Sequence, residues 1–321
     1  MNMLNIQVRY ILNLNFHRTF IILPLLLIGL AQGCSTTSGS ASGISNLVIA
    51  EPMAINPQSE LALARLSEIL QRVEVTEEQR AKLFYDRGVI FDSVGLRSLA
   101  SFDFQRALRI RPDLVDAYNF MGIHHTQRQE FNLAYEAFDS AIELEPDHQY
   151  AYLNRGIALY YGGRPEMAVK DIEKFQLQEQ YDPYRMAWLY LVEYEIDPQA
   201  AQQHLQDNYD SLPHNSWANN ILRLFLGEMT EGEFIDELTL GVTSNKELTD
   251  RLCEGYFYLG KYNLINDLPN NSANYFKLAL STNVYEFIEH RYAKLELDIL
   301  TSKFAQPISE SEVEDSPSDE Q

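Results

Sequence analysis

Residues 81–114 read AKLFYDRGVIFDSVGLRSLASFDFQRALRIRPDL, and residues 115–148 read VDAYNFMGIHHTQRQEFNLAYEAFDSAIELEPDH. Superposed, they set Phe84 on Tyr118, Gly88 on Gly122, Ala100 on Ala134, Phe104 on Phe138, Ala107 on Ala141 and Pro112 on Pro146, while His125 replaces the bulky Phe91. Residues 149–182 keep Tyr152, Gly156, Leu159 and Ala168 in register, then drift to Ile172 and Phe175 and lack the closing proline. Two antiparallel helices approach closely only where small residues face each other. Glycine in a first helix and alanine in a second therefore predict one tight helical hairpin per 34-residue period.

This is the tetratricopeptide pattern. A fourth, separated unit over 253–286 sets Tyr256, Leu259, Gly260, Ser272, Phe276 and Ala279 on the same register. One hairpin cannot bury its apolar face alone, so units stack and share a continuous core. Gly88, Ala100, Gly122, Ala134, Gly156, Ala168 and Gly260 are the expected packing positions. The predicted fold is an all-α helical solenoid of three units (81–114, 115–148, 149–182), a divergent helical middle (183–252), the separated unit and a C-terminal capping helix (287–305). Strand-length β-branched runs are missing.

The flanks divide by composition. Arg9 and Arg18 precede an apolar stretch over 20–30 that ends Ala31-Gln32-Gly33-Cys34. That stretch is short for a bilayer span and reads as a secretory leader, residues 1–33, removed on export. Cys34 after a small residue resembles a bacterial lipobox, in which the thiol receives diacylglycerol and the freed amine is acylated; more than one chain makes a stable anchor. By resemblance to sorted lipoproteins, Ser35 in place of aspartate after the cysteine implies the periplasmic leaflet of the outer membrane. A Ser/Gly-rich tether, 34–55, follows, with roughly 20 Å of reach over its flexible part.

Asn56 and Pro57 open a helix in the segment 56–80, with Leu63, Leu66, Ile69, Leu70 and Val73 on one face. Its cover is either the first repeat or the same face of a second protomer, which would make it a dimer seam. Thr76 with Gln79 forms a capping-box pattern at the first repeat. In the middle region Asp197-Pro198, Thr230 with Glu233, and Ser244 with Glu247 mark helix starts. Val284, Ile288, Tyr292, Leu295 and Ile299 form the stripe of the last helix, expected to cap the solenoid's end; the acidic tail 306–321 lacks apolar residues and reads as disordered.

A formal charge of −21 argues against phosphate-backbone binding and disfavours anionic lipid as a direct ligand, so the membrane is expected to be reached only through the lipid anchor and no nucleic acid is expected. Cys253 is left without a disulfide partner once Cys34 is acylated, and reads as a core residue. No metal-binding, nucleophile-elbow or phosphate-loop motif occurs. His124 and His125 are adjacent and point about 100° apart on a helix. Glu286 and His290 stand at i, i+4 spacing, as a structural pair. The chain is read as a non-enzyme without cofactor or metal.

Function then lives on a surface. Positions 2, 5, 9 and 12 of each first helix form a stripe along the concave groove: Lys82, Tyr85, Val89 and Asp92; Asp116, Asn119, Ile123 and Thr126; Tyr150, Leu153, Ile157 and Tyr160. Tyrosines, amides and modest apolar groups suit an extended polypeptide. Tyr160-Tyr161-Gly162-Gly163 adds an aromatic turn between two helices.

YDRGV at 85–89, AYEAFDS at 134–140, LNRGIALYYGG at 153–163, FYLGKY at 257–262 and EHRYA at 289–293 closely resemble the NlpI family of tetratricopeptide outer-membrane lipoproteins, over about residues 57–300. The resemblance implies a homodimeric, non-catalytic adaptor that binds peptidoglycan hydrolases, notably a cell-wall endopeptidase, and a PDZ-containing tail-specific protease that destroys it. Such an adaptor regulates cell-wall degradation and division. A tetratricopeptide scaffold of outer-membrane β-barrel assembly is the alternative.

Overall fold

The computed structural model describes residues 47–305 except Val73, His214 and Asn215; the leader, Cys34, the Ser/Gly-rich stretch to residue 46 and the tail from 306 lie outside the described residues. Helices account for all the regular structure described, with no strand among these residues. Three hairpins pair α2 (Glu77–Ser93) with α3 (Arg97–Ile110), α4 (Val115–Gln127) with α5 (Phe131–Leu144), and α6 (Gln149–Tyr161) with α7 (Pro165–Gln176). The fold is the all-α tetratricopeptide type that the period predicts.

The small-residue rule appears as a recurring contact. A Cβ added at Gly88 would stand 2.8 Å from the Phe104 ring, at Gly122 2.5 Å from Phe138, at Gly156 2.7 Å from Ile172, and at Gly260 2.4 Å from Phe276. The partner is always sixteen residues on, so the drifted third unit and the separated fourth close in the same way. Ala100, Ala134, Ala168 and Ser272 have no exposed surface. A second device recurs in the first and third hairpins. Arg87 grips Asp103 with two hydrogen bonds at 2.6 and 2.8 Å, and Arg155 grips Asp171 at 2.7 and 2.8 Å. Each ties a first helix to its second by the two-pronged guanidinium–carboxylate geometry.

The N-terminal helix is shorter than the segment assigned to it. α1 (Pro57–Ile69) is capped by the Asn56 side chain on the Gln58 N–H, and residues 77–80 already belong to α2, which starts at a full capping box between Thr76 and Gln79. No residue of α1 is fully buried. Leu63, Leu66, Ile69 and Leu70 are half-covered and Leu61 is exposed.

The middle region has the helix starts expected of it. Asp197 caps α9 (Pro198–Tyr209) through the Gln199 and Ala200 N–H groups. Thr230 and Glu233 form a capping box on α11 (Glu231–Glu237). Ser244 caps α12 (Asn245–Ile265), where the Glu247 carboxylate accepts from Thr243 instead. With α8 (Pro183–Tyr194), α10 (Asn219–Leu226) and α13 (Pro269–Ser281), these helices enclose the largest core. Cys253, on α12, has no exposed surface, and burial pushes its thiol pKa well up.

One expectation needs correction and another needs extension. α14 (Ile288–Ala305) packs on α13 and α12, against the last hairpin as expected of a capping helix, and does more than that. It turns back along the first helices of the repeats: Arg291 reaches Asp92 at 2.5 Å, Tyr292 stacks on Tyr161 at 5.5 Å, and Glu296 accepts from Tyr161 at 2.9 Å. An amphipathic stripe specifies that one face is covered, not by what. The Glu286–His290 pair is absent. Glu286 precedes the helix and is exposed, while His290 donates to the Leu280 carbonyl at 3.2 Å; burial, then the nearby Arg97 charge, lowers its pKa to about 4.

The end of the tether is docked as well. Residues 47–53 run extended against α12 and the end of α13 as part of the folded body, not as a free linker.

Candidate functional site

The twelve groove positions sort by their place along the first helices. At the helix starts Lys82, Asp116 and Tyr150 are exposed. One turn on, Tyr85 is half-buried, Asn119 is 8% exposed and Leu153 2%. Another turn on, Val89 is half-covered and Ile123 and Ile157 are buried. At the helix ends Asp92 and Thr126 are buried and Tyr160 is half-buried. The groove therefore has an open rim at the helix N-termini and a closed end where α14 lies. Period alone treats all four positions as equivalent, because it contains no information on which segment returns to cover them.

The closed end is held by two buried ion pairs. Arg291 pairs with Asp92, whose other oxygen meets His124 Nε2 at 2.7 Å; His124 Nδ1 meets the Ser101 hydroxyl at 2.7 Å. Burial alone would raise the Asp92 pKa, but the hydrogen bond from His124 and the charge of Arg291 outweigh it and hold the carboxyl below its ordinary range. At the third repeat, the Lys261 ammonium donates to Glu296 at 2.5 Å and to the Tyr160 hydroxyl at 2.7 Å. Burial disfavours that ammonium, yet Glu296 wins and raises its pKa. Paired and hydrogen-bonded, such charges are tolerated in a low-dielectric interior.

Ser101, His124 and Asp92 have the contact order of a hydrolytic triad, but the environment opposes its chemistry. A general base must accept a proton, and the His124 imidazolium is disfavoured first by burial and then by the neighbouring Arg291 and Arg97 charges, which together outweigh the help of Asp92. With His124 at 1% and Asp92 at 3% exposure, the set works as a tie between α2, α3, α4 and α14. His125 points the other way and pairs with Glu130 at 2.7 Å, at the edge of a cleft of about 530 Å³ lined also by Leu108, Tyr118, Met121 and Leu133. Among the described residues, no group of three or more His, Cys, Asp or Glu is placed to hold a metal ion.

The open rim is polar and aromatic. The Tyr85 hydroxyl donates to Asp116 at 3.4 Å, and the second Asp116 oxygen meets His148 Nε2 at 3.0 Å. Burial, then Asp116, pushes the Tyr85 pKa up to about 12, so the hydroxyl stays protonated and able to donate. Just beneath the rim the buried Asn154 Nδ2 donates to the buried Asn119 Oδ1 at 3.1 Å, tying the first helix of the second repeat to that of the third. Lys82 bridges to Asp86 within its own helix, and the exposed Tyr150 ring rests against Phe175 at 5.9 Å. This arrangement offers donors, acceptors and ring faces without a nucleophile.

Two features escaped sequence reasoning. A cleft of about 600 Å³ lies beside the closed end, lined by Tyr160, Glu195, Lys261, Asp267, Glu296 and Lys303. The Arg–Asp grip was readable in principle, as Arg87/Asp103 and Arg155/Asp171 share repeat positions. Gly88, Gly122, Gly156 and Gly260 face the bulky residue sixteen positions on, not the alanines their spacing pairs them with, while Ala100, Ala134 and Ala168 are fully buried. Cys34 lies outside the described residues, and no described helix is long and apolar enough to cross a membrane.

No family model matches the chain. Among solved structures, it is similar to a tetratricopeptide repeat protein from Parabacteroides merdae at 15% identity and a TM-score of 0.43, over 77% of this chain and 100% of that one. PilF of Pseudomonas aeruginosa matches at 18% identity and a TM-score of 0.41, over 68% of this chain and 99% of its own. MamA of Desulfovibrio magneticus matches at 16% identity and a TM-score of 0.39, over 49% of this chain and 96% of its own. By its own hairpin geometry, the chain is a helical-repeat protein of tetratricopeptide type.

Proposed function

We propose that this chain is a non-catalytic adaptor of the NlpI kind, anchored through Cys34 to the periplasmic leaflet of the outer membrane. It binds a cell-wall endopeptidase and a PDZ-containing tail-specific protease, and so limits wall cleavage. The observation that carries the adaptor reading is the open rim, where Tyr85, Asp116 and Tyr150 present hydroxyl, carboxylate and ring groups along the first helices of three successive repeats. An extended polypeptide crossing those helices pairs its main chain with the polar groups and its side chains with the rings.

The motifs behind the resemblance add support of a particular kind. Arg87 of YDRGV forms a hairpin grip, and Lys261 of FYLGKY and Arg291 of EHRYA make the ion pairs that hold α14. They thus belong to the folded-back architecture, while partner choice rests with the rim. α1, with its half-covered apolar face, is the proposed homodimer seam. Two partners on one scaffold meet at raised effective concentration, which needs no chemistry from the scaffold.

The test is a pull-down from envelope extract with the mature chain and with a Lys82→Ala, Tyr85→Ala, Asp116→Ala, Tyr150→Ala variant of matching helical content. Recovery of an endopeptidase and a periplasmic protease by the parent, with loss of at least one by the variant, supports the proposal. Recovery of β-barrel assembly subunits and neither wall enzyme refutes it.

A further inference from the structure

Residues 47–53 of this chain are bound the way a peptide ligand is bound. The Tyr256 hydroxyl donates to the Val48 carbonyl and accepts the Val48 N–H at 3.0 Å, so one side chain satisfies both main-chain groups of one residue. The Thr249 hydroxyl, which donates at 2.8 Å to the Asn245 carbonyl of its own helix, lies 3.2 Å from the Glu51 carbonyl, and the Met53 N–H donates to the Thr282 carbonyl at 2.8 Å. Leu47, Val48 and Ala50 pack against the main core while Ile49 is 73% exposed.

The register is quantitative. Three residues of extended chain span roughly 10 Å, and seven residues of α-helix rise about 10.5 Å. Val48 therefore meets Tyr256 and Glu51 meets Thr249 with the strap running antiparallel to α12. Pro52 biases Glu51 to extended backbone and has no N–H to leave unpaired. At the equivalent position of the third repeat, Tyr152 donates to the Pro146 carbonyl six residues away, at 3.1 Å. In the separated repeat the same position has taken a carbonyl from 208 residues away.

We infer that the face of the separated repeat carrying Thr249, Tyr256 and the Thr282 carbonyl is a second polypeptide-binding site, occupied in cis by residues 47–53 and opened to an extended partner segment when that strap leaves. The ligand class follows from the occupant: an extended segment offering both main-chain groups to Tyr256, with apolar side chains on the inward side. Cis occupancy lowers the site's apparent affinity by the fraction of molecules in which the strap is free. The site is separate from the open rim and does not depend on which proteins the rim recruits.

The probe is a peptide of residues 47–55 bearing Ile49→Lys at the outward position, which makes it soluble and distinct in mass. With the whole mature chain, millimolar peptide should raise hydrogen exchange at the Val48 and Met53 amides while those within α12 stay protected. Unchanged exchange at both overturns the inference, whether or not any variant folds. In the chain itself, Val48→Asp, with helical content checked by circular dichroism, should bind labelled peptide about tenfold more tightly than the parent, and adding Tyr256→Phe should abolish the gain. A folded Val48→Asp chain that binds no better than the parent, or a gain that survives Tyr256→Phe, also overturns it.

Discussion

Asp92, in the last turn of the first repeat's first helix, accepts a 2.5 Å hydrogen bond from Arg291, 199 residues later in the chain. Asp92 is 3% exposed and Arg291 8%, so the pair is dry. Removing Arg291 leaves the buried Asp92 with only its His124 hydrogen bond, and removing Asp92 leaves the buried Arg291 cation without its carboxylate. Arg291→Ala and Asp92→Ala are each expected to cost about 3–5 kcal/mol in urea unfolding, and the double change less than their sum. Additive losses would mean that the two residues act separately.

The glycine contacts predict a contrast within one residue type. Gly122→Ala puts a methyl 2.5 Å from the Phe138 ring and should cost about 1–3 kcal/mol through forced displacement. Gly232, in α11, has nothing within 4 Å of the added methyl, and Gly232→Ala should stabilise by roughly 0.4–1 kcal/mol. Thermal denaturation of the two variants reads both signs.

How much of this was legible in sequence follows from which forces act locally. Gly88 with Phe104 and Thr76 with Gln79 are decided within one hairpin or one helix turn, so period and capping patterns located them. The return of α14 rests on Arg291–Asp92 and Lys261–Glu296, pairs that no period relates, and that is why Asp92 and Thr126 stood in a supposedly open groove. The strap was missed for a related reason. Residues 47–53 carry no periodicity, and their partners Tyr256 and Thr282 lie at the far end of the chain.

A buried carboxyl pair makes stability depend on pH. Burial, then the neighbouring Glu289, raises Glu254 to about 8, and burial raises Glu289 to about 6. Around them stand the Tyr184 hydroxyl, 2.7 Å from Glu254, and the Tyr258 hydroxyl, 3.2 Å from Glu289, with Asp250 and Arg251 on the same helix as Glu254. With pKa values raised on folding, the folded state binds more protons than the unfolded one. The stability this contributes is complete below the ordinary carboxylate range and lost as pH rises through about 6 and then about 8. Glu254→Gln should flatten the fall in Tm between about pH 5 and 8; an unchanged slope rejects this assignment.

The α1 face predicts an oligomeric state. Leu63 and Leu66 are only half-covered and no α1 residue is fully buried, so Leu63→Asp with Leu66→Asp should convert a dimer to a monomer in sedimentation velocity without loss of helical content. A parent chain that sediments as a monomer contradicts the seam.

The most direct test of the central claim, that the open rim recruits partners without chemistry of its own, is reconstitution from purified parts. The wall endopeptidase is incubated with the tail-specific protease, with and without the mature chain, and its disappearance is timed. The parent chain should accelerate the disappearance at least about tenfold and the Tyr85→Ala, Tyr150→Ala variant little, with no loss of endopeptidase when the chain is added without the protease. Equal acceleration by that folded variant, or degradation that ignores the chain altogether, would contradict the claim.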